Sequence, residues 1–174
     1  MEEIVIREFL AKDITALTEL YNHYIRETAI TFDLQVYSPE ERQRFWMEHY
    51  DLTGRHRLFV AEKTISNQVA KVVGYASSSR FGSKAAYETS VETSIYLDKD
   101  SVGYGIGSYL YKALFAALAK EDVHRAYAGI TLPNEASIAI HKKFGFEQVG
   151  LYKEVGRKFD RYWDVAWFEK AIEQ

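Results

Sequence analysis

Between positions 97 and 118 the chain passes from a run of alternating residues into three glycines at every second position, Gly103, Gly105 and Gly107, and then into an apolar stripe at helical spacing. The stripe is Ile106, Leu110, Ala113, Leu114, Ala117 and Leu118, which defines one face of a helix ending near Lys120. A strand, a glycine turn and a strong helix form a unit suited to anions. Backbone approaches closely where side chains are missing, and the helix N-terminus presents unpaired N–H groups with a positive dipole. The same cluster taken alone is equally compatible with a purely structural turn. It lacks the Gly-Lys-Ser/Thr ending of a Walker loop, and it is not the G-x-G-x-x-G of an early βαβ dinucleotide unit.

Upstream, residues 87–97 alternate: Val91, Thr93, Ile95 and Leu97 share one face, Glu92, Ser94 and Tyr96 the other. This is the longest strand candidate. Ile4, Ile6 and Phe9 mark a first strand, followed by a helix of about four turns on Leu10, Ile14, Leu17, Tyr21, Tyr24, Ile25 and Thr28. Ser38-Pro39-Glu40-Glu41 carries a capping box with Pro at the first helical position, so a second helix starts there, with Phe45, Trp46 and His49 as its buried face. The runs 58–61 and 69–78 are β-rich and separated by the polar segment 64–68, which predicts a hairpin. Residues 125–132 read as a strand, and Asn134 caps a short helix closed by Lys142, Lys143 and Gly145. Runs 146–155 and 162–168 complete the strands, with 156–161 as the turn between them. No linker or repeat divides the chain, so the expectation is one domain of 174 residues, long enough to bury its own core.

Composition narrows the partners. The formal charge of -3, with signs interspersed, supplies no basic stripe for nucleic acid, and no apolar run approaches the about 20 residues of a membrane span. The acidic start Met1-Glu2-Glu3 is unlike a signal peptide, and a sequence without cysteine fits a reducing compartment, so a cytoplasmic protein acting on a small molecule is expected. No metal site is expected, because no histidine pair has helical metal-binding spacing. The 13 Tyr and 10 Phe belong first to a core and second to a pocket or subunit interface.

The segment 93–114 resembles the acetyl-CoA motif of the GNAT superfamily of N-acetyltransferases, and Asn134-x-x-Ser137 through Phe144-Gly145-Phe146 resembles its later motif. Residues 87–97, together with Tyr21-Asn22-His23, Thr31-Phe32, Ile140-His141 and Val155-Gly156-Arg157-Lys158, are similar to the phosphinothricin and methionine sulfoximine acetyltransferases. The resemblance spans nearly the whole chain and implies a mixed α/β (α+β) GNAT fold, in which a mostly antiparallel sheet splays between two strands to admit acetyl-CoA. It departs in three places. Val102 stands where the superfamily turn opens with Arg or Gln, Asp160-Arg161-Tyr162 replaces Gly-Arg-Trp, and residues 80–84 lack the full Trp/Phe-Arg-x-Arg pattern. With Val102, phosphate binding passes from side-chain charge to backbone amides.

On this resemblance Glu92 is the candidate general base, and His141 a candidate to relay or donate a proton. A paired or solvated glutamate and a structural histidine are the plain alternatives. Ile95, Tyr96 and Leu97 offer the strand that pantetheine would extend, while Gly103, Tyr104, Gly105, Ile106, Gly107 and Ser108 take the pyrophosphate. Asn134 and Lys143 are further cofactor candidates, although capping and the helix dipole each suffice to explain them. Phe32, Phe81, Lys84 and Tyr87 are the candidate acceptor-binding residues, each equally compatible with core or surface. The implied reaction is acetylation of a small amino-acid-like amine by a homodimer. Rival readings are another acceptor (polyamine, aminoglycoside or protein N-terminus) and a non-catalytic acyl-CoA sensor.

Overall fold

A computed structural model describes residues 2–65 and 69–173. Its strands are β1 (Glu2–Glu8), β2 (Leu58–Ile65), β3 (Lys71–Arg80), β4 (Ser90–Leu97), β5 (Arg125–Thr131), β6 (Glu147–Lys158) and β7 (Arg161–Ala171). They form a seven-stranded sheet ordered β1-β2-β3-β4-β5-β7-β6. Every neighbouring pair is antiparallel except β4 and β5, which run parallel. The mixed, mostly antiparallel α/β sheet expected from the sequence is present.

Helices α1 (Ile14–Glu27) and α2 (Pro39–Phe45) cover one face, and α3 (Ile106–Leu118) and α4 (Glu135–Lys143) the other. Each face has its own core. Leu110, Leu114 and Leu118 of α3 are fully buried against Ala76, Val91 and Ala126. On the opposite face Leu17, Met47, Leu58, Val60 and Tyr75 form the second cluster. Strand β3 lies between them, which explains its unbroken buried run from Val73 to Ser78.

The caps read from sequence form as expected. Ser38 Oγ accepts from the Glu41 N–H while Glu41 reaches back, and Asn134 Oδ1 accepts from the Ser137 N–H at 3.1 Å. Gly145 follows α4 with φ of 82°.

Four expectations change. Phe45 and His49 are exposed, and the buried face of this segment is Arg42, Met47 and Tyr50, because α2 ends at Phe45 and the following 3-10 turn (Met47–His49) rotates the side chains. Tyr87 belongs to a 3-10 turn (Ala85–Tyr87), so β4 is shorter than the alternation suggested and β6 is the longest strand. The turn between the last strands is only Phe159 and Asp160, both at positive φ (54° and 55°), and Gly156 remains in β6 opposite Trp163. Leu10 is exposed ahead of α1. Strands β2 and β3 do pair as a hairpin would; of the expected turn segment 64–68, Thr64 and Ile65 belong to β2, and Ser66, Asn67 and Gln68 lie outside the described residues.

Candidate active site

Strands β4 and β5 pair over three residues, Ser90↔Arg125, Val91↔Ala126 and Glu92↔Tyr127, and then separate. The gap is lined by Thr93, Ser94, Ile95 and Tyr96 on one side and Ala128, Gly129, Ile130 and Thr131 on the other, with Asn134, Ser137 and His141 of the α4 segment behind. The backbone edge in this gap is available. Asp98 N–H donates to Val73 O in continuation of the β3–β4 ladder, so alternation turns the N–H groups of Ile95 and Leu97 away from β3 and toward the splay. The Leu97 carbonyl accepts from Tyr24 Oη at 2.6 Å, which ties α1 to the end of this strand.

The splay leads to the glycine turn. Gly103 and Gly105 adopt φ of 90° and 77°, in the left-handed region that side chains disfavour, and Gly105 is the N-cap of α3. Gly107 serves a different purpose. A Cβ there would fall 2.8 Å from Ile140 Cδ1 and 3.3 Å from Ile95 Cδ1, so its absence lets α3 lie close to both β4 and α4. Lys143 Nζ donates to Ser108 Oγ at 2.8 Å, placing a cation beside the first turn of α3. Val102 and Tyr104 are exposed, and the Lys63 ammonium lies 5.3 Å from the Tyr104 ring. Open αL backbone, a helix N-terminus and one lysine are the features a pyrophosphate requires.

Glu92 stands on the sheet face turned toward α1 and α2, where its rung continues Tyr75/Tyr96 and Ser77/Ser94 into Ser79/Glu92. Burial pushes its carboxyl above the ordinary value. Next to it, on the parallel partner position, Tyr127 stacks on Phe81 at 4.3 Å. Phe81 also meets Tyr87 edge-on at 5.7 Å and Trp167 at 6.3 Å. Trp167 covers Gly129, and its Nε1 is buried without a partner.

The other expected acceptor residues are dispersed. Phe32 fills the space a side chain at Gly156 would occupy, and Lys158 Nζ donates to Thr31 O at 2.8 Å, so the loop after α1 is held against β6. Lys84 is exposed at the start of the 3-10 turn, its carbonyl accepting from Tyr87 N–H. Sequence reasoning missed the wall opposite Glu92: Tyr21, Asp33, Tyr37, Arg42, Trp46 and Tyr50 border a cavity of about 380 Å³ floored by Tyr75, Ser77, Ser79, Ser94 and Tyr96. The alternation of β4 placed Ser94 and Tyr96 on this face, yet nothing local brought α2 over them.

His141 is 3% exposed, and burial pushes its ring below the usual histidine range. The ring is therefore neutral near pH 7. Nδ1 lies 2.7 Å from Ser137 O, an acceptor, so Nδ1 carries the proton and Nε2 accepts from the Tyr111 hydroxyl at 2.8 Å. Among the described residues no cluster of histidine and carboxylate groups is arranged to hold a metal, and no helix is long and apolar enough to cross a membrane.

A parallel-strand splay leading to a left-handed glycine turn at a helix N-terminus, with a half-buried carboxylate on the adjoining rung, defines an acyl-CoA-dependent acyltransferase. The chain belongs to the acetyltransferase (GNAT) domain family, whose profile matches residues 6–167. It is 53% identical over 170 residues to a phosphinothricin N-acetyltransferase of Streptomyces coelicolor, covering 98% of this chain and 97% of that protein. It is 30% identical over 162 residues to an L-amino acid N-acyltransferase of Escherichia coli, covering 93% and 90%. A phosphinothricin acetyltransferase from Sinorhizobium meliloti, solved with acetyl-CoA, superimposes with a TM-score of 0.88 at 28% identity, over 98% of this chain and 89% of that one. The enzyme is an N-acetyltransferase that uses acetyl-CoA as co-substrate.

Proposed function

We propose that the acceptor is the amine of a small amino-acid-like molecule of the phosphinothricin or methionine sulfoximine type, and that Glu92 is the base that prepares it. The observation that carries this reading is a half-buried carboxylate, its pKa raised by desolvation, at the rung where β4 and β5 part, between an aromatic cluster and a cavity of small-molecule size. The relatives named as phosphinothricin and methionine sulfoximine acetyltransferases support the same acceptor class.

In this reading acetyl-CoA supplies an activated acyl group. The residues that would hold it are Ile95, Tyr96 and Leu97 along β4, the turn Gly103, Tyr104 and Gly105 with Ile106, Gly107 and Ser108 of α3, and Asn134 and Lys143 from the α4 segment. Glu92 takes the ammonium proton directly or through one water, which leaves the nitrogen lone pair free to attack. The Ile95 N–H is directed into the splay, where it polarises the carbonyl that gains negative charge. His141 starts neutral with both nitrogens engaged, so passing a proton toward the leaving thiolate requires that one of those hydrogen bonds be exchanged. Phe32, Phe81 and Tyr87 contribute apolar surface beside the acceptor, while Lys84 lies at the exposed edge of the loop.

The reading extends to one domain over the whole chain, acting in the cytoplasm on an acetyl-CoA supply, and to a homodimer. Support for the dimer comes from Val149, Leu151, Tyr152, Val155 and Tyr162, all exposed along the β6–β7 edge. Light scattering coupled to size exclusion is expected to give twice the chain mass. Thiol release from acetyl-CoA with phosphinothricin, methionine sulfoximine, methionine sulfone and common amino acids tests the acceptor. Turnover confined to polyamines, aminoglycosides or protein N-termini would overturn it.

A further inference from the structure

Arg42 is a charged side chain only 5% exposed, yet no carboxylate among the described residues forms an ion pair with it. Its guanidinium lies 3.8 Å from the Trp46 ring centroid, 4.2 Å from that of Tyr21 and 5.7 Å from that of Tyr37. One hydrogen bond, from Nη2 to the Tyr75 hydroxyl, sits at the limiting distance of 3.5 Å, and Nε has no partner at all. The guanidinium therefore faces three aromatic rings and makes one weak oxygen contact, with its Nε–H unsatisfied. Burying an ion without its counter-charge costs several kcal/mol, which aromatic faces offset only in part.

The nearby acid does not supply the missing charge. Asp33 borders the same cavity, but its carboxylate accepts from Tyr21 Oη at 2.8 Å and makes no ion pair with Arg42. The cavity itself extends along β3 from Tyr75 to Ser79, and Ser79 is the cross-strand partner of Glu92. Arg42 and Ser79 thus border one chamber, and an anion received at Arg42 occupies the same cavity that reaches the Glu92 rung.

Resting on the proposed acceptor class, we infer that Arg42 is the specificity-determining residue for a second acidic group on the acceptor, a carboxylate or phosphinate remote from the amine that is acetylated. The planar fork accepts such an oxyanion through two N–H donors, and the aromatic walls exclude water from the pair. Acceptors with a neutral distal end leave the guanidinium uncompensated and bind less well.

The test separates this assignment from the acceptor reading by using glutarate, which has two carboxylates and no amine. Calorimetric titration of the wild-type protein with glutarate is expected to show saturable binding that falls at least about tenfold in Arg42→Met and recovers in part in Arg42→Lys. The Met variant is expected to fold, since apolar replacement of a buried charge is often neutral or stabilising. In turnover, the ratio of kcat/KM for phosphinothricin over methionine sulfone is expected to drop by about tenfold or more in Arg42→Met, chiefly through KM. Absence of saturable glutarate binding to the wild type, or a ratio unmoved by the substitution, overturns the role of Arg42. Glutarate binding that depends on Arg42, joined to no turnover of any amino acid, overturns the acceptor reading and leaves the anion site standing.

Discussion

Lys143 in the last turn of α4 reaches across to Ser108 in the first turn of α3, Nζ to Oγ at 2.8 Å, so two segments 35 positions apart in sequence meet at one helix N-terminus. Because Val102 brings no charge to the turn, this lysine supplies a cation at the first turn of α3, beside the backbone amides. Replacing Lys143 by Met is expected to weaken acetyl-CoA binding by about 3- to 10-fold, with the deficit shrinking as salt rises, since the side chain is exposed and its attraction is screened. Titration calorimetry at two ionic strengths checks this.

Gly105 caps α3 at φ of 77° with nothing within 4 Å of where a Cβ would stand, so a substitution there meets backbone strain and no clash. Gly105→Ala is expected to cost about 1–2 kcal/mol. Gly105→Asn is expected to recover part of it, because asparagine tolerates the left-handed region and can cap the helix. Chemical denaturation of the two variants provides the comparison.

The Tyr111–His141 pair is entirely inside the protein. Tyr111→Phe removes the donor to Nε2 and leaves a buried acceptor unsatisfied, an expected loss of about 1–3 kcal/mol in unfolding free energy. Burial also lowers the histidine pKa, so the folded state binds fewer protons than the unfolded chain below about pH 6.5. Stability is lost as pH falls through that value, and His141→Asn is expected to flatten this part of the stability profile.

For Glu92 the sign is opposite. Its folded pKa is raised, so the folded state holds the proton more tightly and stability falls as pH rises from the unfolded value of about 4.3 through the raised one. Glu92→Gln is expected to match the wild type at low pH and to be equally or more stable at neutral pH, as thermal melts at pH 4 and pH 7.5 would show.

Local chemistry made part of this molecule legible in the sequence. The Ser38 box, the Asn134 cap, Gly145 and the glycine turn are each decided within a few residues, and each stands as expected. The alternation of β4 likewise placed Glu92, Ser94 and Tyr96 on one face. What escaped was long-range. Arg42 is buried only because α2 lies over Tyr75, and Phe32 meets Gly156 from 124 positions away (156 − 32). The Phe159–Asp160 turn was hidden for a different reason, since it takes positive φ at two residues without glycine.

The proposed role of Glu92 as the base that prepares the amine is tested most directly by the pH dependence of kcat/KM in the wild type and in Glu92→Gln. The wild-type profile is expected to rise with pH through a pKa above the ordinary glutamate value, and the variant to lose about 10²–10⁴ in rate together with that limb, while acetyl-CoA affinity stays near its original value. A variant that keeps both the rate and the shape of the wild-type profile would contradict the account.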